Sequence, residues 1–225
     1  MQARDRLIVA ADLSSRDEIL ALADELSGVA GLLKIGLQAF VANGPALVRE
    51  VVAREVKVFL DLKLHDIPNT VRNAVREVEK LGVLMVTVHA SGGAPMLRAA
   101  ASENLLVLGV TVLTSLDDDA IREIGFAGDV ISMVPRLARL AQQSGLRGVV
   151  ASPLEIRAIR DACGDALTIV APGVRPAGSD RGDQSRTMTP REAIAAGADY
   201  IVVGRPITEK KNRREAAVRI IEELV

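Results

Sequence analysis

The sequence predicts a closed (β/α)8 barrel, formed as one α/β domain over residues 1–225. Three observations carry that expectation. Eight short apolar runs recur along the chain, each followed by a stretch with helical periodicity. The chain has 225 residues, and undivided α/β barrels run to roughly 200–250 residues. The polar residues gather at the C-terminal ends of the apolar runs, where barrels place their chemistry. A doubly wound open sheet is the alternative, but it usually needs fewer strands and a glycine-rich first turn. The first turn here, AADLSSRDE, has no GxGxxG.

In chain order the candidate strands are LIVAAD (7–12), LLKIG (32–36), KVFLDLK (57–63), LMVTVHA (84–90), LLVLGVTVL (105–113), GVVAS (148–152), TIVAPG (168–173) and YIVVG (200–204). Between them lie helical faces. Ile19, Leu22, Ala23 and Leu26 make one, Val71, Val75, Val78 and Leu81 another, and Ala217, Ile220, Ile221 and Leu224 a third. Helix starts are punctuated: Ser152-Pro153-Leu154-Glu155 and Thr189-Pro190-Arg191-Glu192 both read as capping boxes with proline at the first helical position. Ser15 with Glu18 is a weaker version.

Hydrophobic residues are 49% of the chain and aromatics only 2%, so the core must be built from Val, Leu, Ile and Ala. Charges nearly balance at a formal net −1, which offers no electrostatic reason for a nucleic acid or an anionic membrane as partner. The basic run EKKNRRE (209–215) opens an amphipathic helix and reads as a solvated face. The lone Cys163 cannot form an internal disulfide and fits a reducing, cytoplasmic setting. The apolar run that follows the N-terminal MQARDR is short and ends at a charge, so neither a signal peptide nor a membrane span is expected.

The strand ends supply Asp12, Lys34, Asp61 with Lys63, His89, Thr114, Ser152, Pro172-Gly173 and Gly204-Arg205. The stretch DLKLHDIPNT (61–70) is the most demanding, because it sets charges into a buried-strand pattern. Side chains alternate faces along a strand. Phe59, Asp61 and Lys63 therefore point into the barrel, Leu60, Leu62 and Leu64 point toward the helices, and Asp66 lies past the strand. Lys34 ends the neighbouring strand. An alternating array of lysines and aspartates keeps each charge compensated and both lysines protonated, which makes Lys63 a candidate proton donor. A salt bridge that merely fills the barrel mouth is the competing account, but buried ion pairs are poor stabilisers. His65 faces outward or into an interface, and His89 has no partner histidine at ligand spacing. With Lys63 set among the carboxylates, no metal is expected. The segment GVRPAGSDRGDQSRT (173–187) reads as a mobile loop that could close over a ligand. Gly204 permits close backbone approach and Arg205 offers a fork matched to phosphate.

Beyond these residues, the chain resembles the orotidine 5′-monophosphate decarboxylases in their bacterial form. DLKLHDIPNT carries the resemblance together with VAAD, KIG, VHASGG, VTVLTS, APGVRP…DQ and IVVGRPIT, in order over the whole chain. A bare Asp-x-Lys-x-x-Asp is shared with sugar-phosphate decarboxylases and aldolases of the same suprafamily; the Ile-Pro-Asn-Thr that follows narrows it. The resemblance implies cofactor-free decarboxylation of orotidine 5′-monophosphate by a tetrad of Lys34, Asp61, Lys63 and Asp66. Lys63 would protonate C6 and Asp61 would lie beside the scissile carboxylate. It further implies a homodimer in which Asp66, Ile67 and Thr70 complete the other protomer's site. Asp12 and Lys34 would hold ribose hydroxyls, and Thr114 and Pro172 would meet the substrate. Arg175, Gln184, Gly204 and Arg205 would hold phosphate. Departures are slight: Ala11 replaces a commoner leucine and Ser185 a frequent lysine. A metal-dependent sugar-phosphate enzyme and a catalytically silent nucleotide-binding barrel are the rival readings.

Overall fold

The computed structural model describes residues 1–176 and 188–224. Eight parallel strands close into a barrel in sequence order. They are β1 (Leu7–Ala10), β2 (Leu32–Gly36), β3 (Val58–Leu64), β4 (Met85–His89), β5 (Leu106–Val110), β6 (Gly148–Val150), β7 (Thr168–Ala171) and β8 (Tyr200–Val203). Pairing of Leu7 with Ile201 and of Val9 with Val203 closes the ring. The helices are α1 (Arg16–Leu26), α2 (Leu37–Val52), α3 (Pro68–Glu79), α4 (Gly93–Ala100), α5 (Asp118–Glu123), α6 (Val130–Gln143), α7 (Ile156–Cys163), α8 (Pro190–Ala196), α9 (Arg205–Thr208) and α10 (Arg213–Glu222).

Two apolar layers follow from strand alternation. Ile8, Ala10, Leu32, Phe59, Met85, Leu108, Val170 and Val202 fill the inside of the barrel. Leu7, Val9, Leu33, Ile35, Leu60 and Val86 face outward and bury the helices' inner faces. The helical faces expected from periodicity are the buried ones: Ile19, Leu22, Ala23 and Leu26 on α1, and Val71, Val75 and Val78 on α3 with Leu81 just beyond it. On α10, Ala217 and Ile220 are buried while Ile221, and Leu224 just beyond the helix, pack at the margin. Both strong capping boxes form, Ser152 with Glu155 and Thr189 with Glu192. Ser15 accepts the Glu18 N–H without the reciprocal bond.

The strand ends differ from expectation mainly after β5, which stops at Val110 rather than continuing to residue 113. Thr111 ends the pairing there. Its N–H and its Oγ1 both donate to the Val150 carbonyl, each at 3.1 Å, and the chain then turns over the barrel mouth. Thr114 consequently lies in the β5–α5 loop and not at a strand end. Among the described residues no helix is long and apolar enough to cross a membrane.

Candidate active site

The charged end of β3 is built on a break in its ladder. Leu60 pairs with Val86 and Leu64 with Val88, so β3 advances four residues while β4 advances two. The surplus is absorbed at Asp61, Leu62 and Lys63, and Lys63 takes a left-handed backbone (φ 52°). For a residue with a Cβ that conformation costs roughly 1–2 kcal/mol, so the surrounding structure must hold it. Alternation alone put Asp61 and Lys63 on one face. The bulge is what brings them together, with Lys63 Nζ donating to both Asp61 oxygens at 2.9 Å.

From β2, Lys34 Nζ donates to Asp12 Oδ1 at 2.9 Å and stands 3.8 Å from Asp61 Oδ2. The result is a continuous line of alternating charge, Asp12–Lys34–Asp61–Lys63, drawn from β2, β3 and the loop just past β1, which ends at Ala10 rather than at Asp12 as expected. Gly36 makes room for it: a Cβ there would sit 2.9 Å from Lys34 Nζ and 3.3 Å from Asp12 Oδ1. Burial pushes the Asp61 carboxyl up, but Lys34, Lys63 and the Thr87 hydroxyl together outweigh it and hold the group below the ordinary aspartate value. Asp61 is therefore ionised at neutral pH.

His89 ends β4 with its ring centroid 5.4 Å from that of His65. Burial first, then the nearby His65 and Lys63, lower its pKa, so it is uncharged at neutral pH. The exposed His65 ring leans on His89 at the rim. Among the described residues no group of three or more His, Cys, Asp or Glu side chains is arranged to hold a metal ion.

Two chambers meet at this line of charge. One, of about 140 Å³, is largely apolar, walled by Phe59, Val110, Val112, Leu113, Val150 and Val202, with Lys63 and Thr114 on its rim. The other, of about 450 Å³, is polar and lined by Asp12, Gly173, Arg175, Gly204, Arg205 and Thr208. Lys34, Asp61, Pro172 and Val202 border both. A flat uncharged ring suits the first chamber and an anionic tail the second. Arg175 reaches the second chamber because its N–H donates to the Met188 carbonyl at 3.0 Å and its Nη1 donates to the Val174 carbonyl at 3.0 Å. Burial, then the like charge of Arg205, lowers the Arg175 pKa. An anion between the two guanidiniums would relieve that repulsion. Gly204 caps the four-residue helix α9.

Most residues expected to be functional are thus brought together: Asp12, Lys34, Asp61, Lys63, Thr114, Pro172, Arg175, Gly204 and Arg205 all border one continuous space. Asp66, Ile67 and Thr70 border neither chamber. Asp66 is exposed and its Oδ1 accepts the Ile67 N–H at 2.6 Å, while Ile67 is 66% exposed. Gln184 and Ser185, with most of the 173–187 segment, lie outside the described residues. Two contributors went unread in the sequence. Gly36 looked like a strand residue, and Thr87 looked like one more member of an apolar strand. A threonine flanked by Val86 and Val88 was the signal for the second.

The chain is similar to known proteins over nearly its whole length. A family model described as Orotidine 5'-phosphate decarboxylase / HUMPS family matches residues 5–220. The chain is 52% identical to the orotidine 5'-phosphate decarboxylase of Moorella thermoacetica, over 100% of this chain and 94% of that protein. It is 50% identical to that of Heliobacterium modesticaldum, over 100% and 97%. Among solved structures it resembles the orotidine 5'-phosphate decarboxylase of Lactobacillus acidophilus, with TM-score 0.86, 35% identity and coverage of 97% of this chain and 98% of that one. On these matches the chain belongs to the Orotidine 5'-phosphate decarboxylase / HUMPS family.

Proposed function

We propose that the chain decarboxylates orotidine 5′-monophosphate to UMP, in de novo pyrimidine synthesis, as one catalytic domain in the cytoplasm. The observation that carries the reading is the unbroken Asp12–Lys34–Asp61–Lys63 line at the seam between an apolar chamber and a polar one that holds Arg175 and Arg205. The pyrimidine occupies the apolar chamber with Thr114 and Pro172 at its edges. The ribose hydroxyls meet Asp12 and Lys34, and the phosphate lies between Arg175 and Arg205 near Gly204. Gln184 is assigned to the same phosphate on the family likeness alone.

In the reaction the bond from C6 to the carboxylate carbon breaks, carbon dioxide leaves, and the electron pair remains on C6. The Lys63 ammonium supplies the proton that takes up that pair and is itself reprotonated from solvent. Asp61, ionised beside the substrate carboxylate, opposes the ground-state charge and then stabilises the ammonium. Binding energy from the remote phosphate holds the ring against that repulsion. No cofactor is invoked.

Asp66, Ile67 and Thr70 complete the site of a second copy in a homodimer. Their exposure on the barrel rim, outside both chambers of their own chain, supports this assignment. Mixing Lys63→Ala and Asp66→Ala chains tests it. Each homodimer should be inactive, and the heterodimer should regain one working site; no recovery refutes shared sites.

Incubating the protein with orotidine 5′-monophosphate and following pyrimidine ultraviolet absorbance, with and without EDTA, tests the activity itself. Turnover unaffected by EDTA is expected, and Lys63→Ala should abolish turnover while leaving UMP binding measurable. Loss of activity with EDTA would point to the metal-dependent sugar-phosphate class instead. No spectral change under either condition would refute the decarboxylase.

A further inference from the structure

Thr87 is the only β4 residue between Val86 and Val88, and it faces the three β3 residues that form the bulge. It is fully buried, in a strand whose neighbouring side chains Met85, Val86 and Val88 are apolar and equally buried. A hydroxyl in such a place is costly unless its bonds are made. Both are made here. Its oxygen accepts the Lys63 backbone N–H at 2.8 Å, and its proton goes to Asp61 Oδ1 at 2.9 Å. An amide N–H can only donate, so the hydroxyl must spend its own proton on the carboxylate, and the direction of both bonds is settled.

We propose that Thr87 is a positioning residue for the decarboxylation: one hydroxyl clamps the β3 bulge, setting the Lys63 backbone and the Asp61 carboxylate in a fixed relation to the reacting carbon. The inference rests on the decarboxylase reading above. Three features support it. Lys63 holds a left-handed backbone that an L residue leaves readily, and the bond from its N–H to Thr87 opposes that release. Asp61 receives Lys63 Nζ on both oxygens, so rotation of its carboxylate would misplace the ammonium as well. Finally, Thr87 is fully buried and borders neither chamber, so its route to the chemistry runs through the two charged groups it bonds.

The test compares Thr87→Val, which keeps the shape without the hydroxyl, with Thr87→Ser, which keeps the hydroxyl. Misplacement of catalytic groups by about 1 Å costs on the order of a hundredfold. The Val variant should therefore lose about 10- to 100-fold in kcat, with KM and the Kd for UMP changed by less than about threefold. The acid limb of its kcat profile should move to higher pH, because the Asp61 carboxylate loses a donor that stabilises its charge. Thr87→Ser should restore most of the rate and the wild-type limb. A merely structural threonine would lower thermal stability without moving kcat or the pH profile.

Val kinetics close to wild type, a loss confined to KM, or a Ser variant as impaired as Val would each overturn the proposal. If Thr87→Val does not fold, Thr87→Ala carries the same comparison. If neither folds while Thr87→Ser does, the hydroxyl serves folding and the proposal fails. Absence of wild-type turnover would sink the decarboxylase reading and this inference with it. An active wild type beside an unimpaired Val variant would overturn only the inference.

Discussion

Replacing Asp61 with Asn keeps the shape and the Thr87 bond but removes the charge that Lys34 and Lys63 share. The cost follows from the geometry. Breaking a fully buried pair costs about 3–5 kcal/mol, whereas exposed pairs contribute about 0–1 kcal/mol. Here the Asp61 side chain is 14% exposed and the Lys63 side chain 29%, so the pair lies between these limits. About 2 kcal/mol is the expected loss, since water reaches Lys63 and Lys34 keeps Asp12 at 2.9 Å. In a chain of this size that lowers Tm by about 4–8 °C. The pH dependence is the sharper part. Asp61 is held below the ordinary aspartate value, so its contribution is present above an unfolded pKa of about 3.9 and lost only as pH falls through the folded value. Thermal melts of the two proteins should thus differ by the same amount at pH 7 and pH 5. A gap that widens steadily as pH falls from 7 to 5 would mean that burial wins over the lysines and raises the Asp61 pKa. A more stable Asn variant would refute the net stabilisation altogether.

Further predictions concern the phosphate chamber and the opposite end of the barrel. Arg205→Ala should lower kcat/KM for orotidine 5′-monophosphate by about 10- to 100-fold, the range set by one or two charge-assisted bonds. Orotidine, which lacks the phosphate, should be turned over equally by variant and wild type; an equal loss on both substrates would remove Arg205 from the phosphate site. Beneath β7 and β8, Arg160 donates to the carbonyls of Gly197 (2.7 Å), Gly164 (3.1 Å) and Leu167 (2.6 Å) and to Asp199 Oδ2 (2.8 Å). Asp199 in turn accepts the Ile169 N–H at 2.8 Å. Arg160→Ala should cost about 3 kcal/mol and lower Tm by about 6–12 °C, with kcat at 25 °C unchanged. A Tm shift under about 2 °C, the effect of one weak contact, would show that water replaces these bonds.

Much of the fold was legible because barrel strands and helices write their burial into local periodicity. The alternation of Leu60, Leu62 and Leu64 with Phe59, Asp61 and Lys63 is enough to place the charges inside, since it depends only on neighbours within one strand. The capping boxes at Ser152 and Thr189 formed because their partners lie three residues away. Thr114 falls in a loop rather than at a strand end because the end of β5 is decided by Thr111 bonding to Val150, 39 positions along the chain. That contact leaves no local mark.

Which residues carry charge at the barrel mouth, and which face they share, can be read along the chain, since both depend on near neighbours. How they meet depends on packing between strands. The β3 bulge, the left-handed Lys63, the room made by Gly36 and the Thr87 clamp arise from β2, β3 and β4 packing side by side. Registers between strands are set by contacts distant in sequence, so no pattern within one strand announces them.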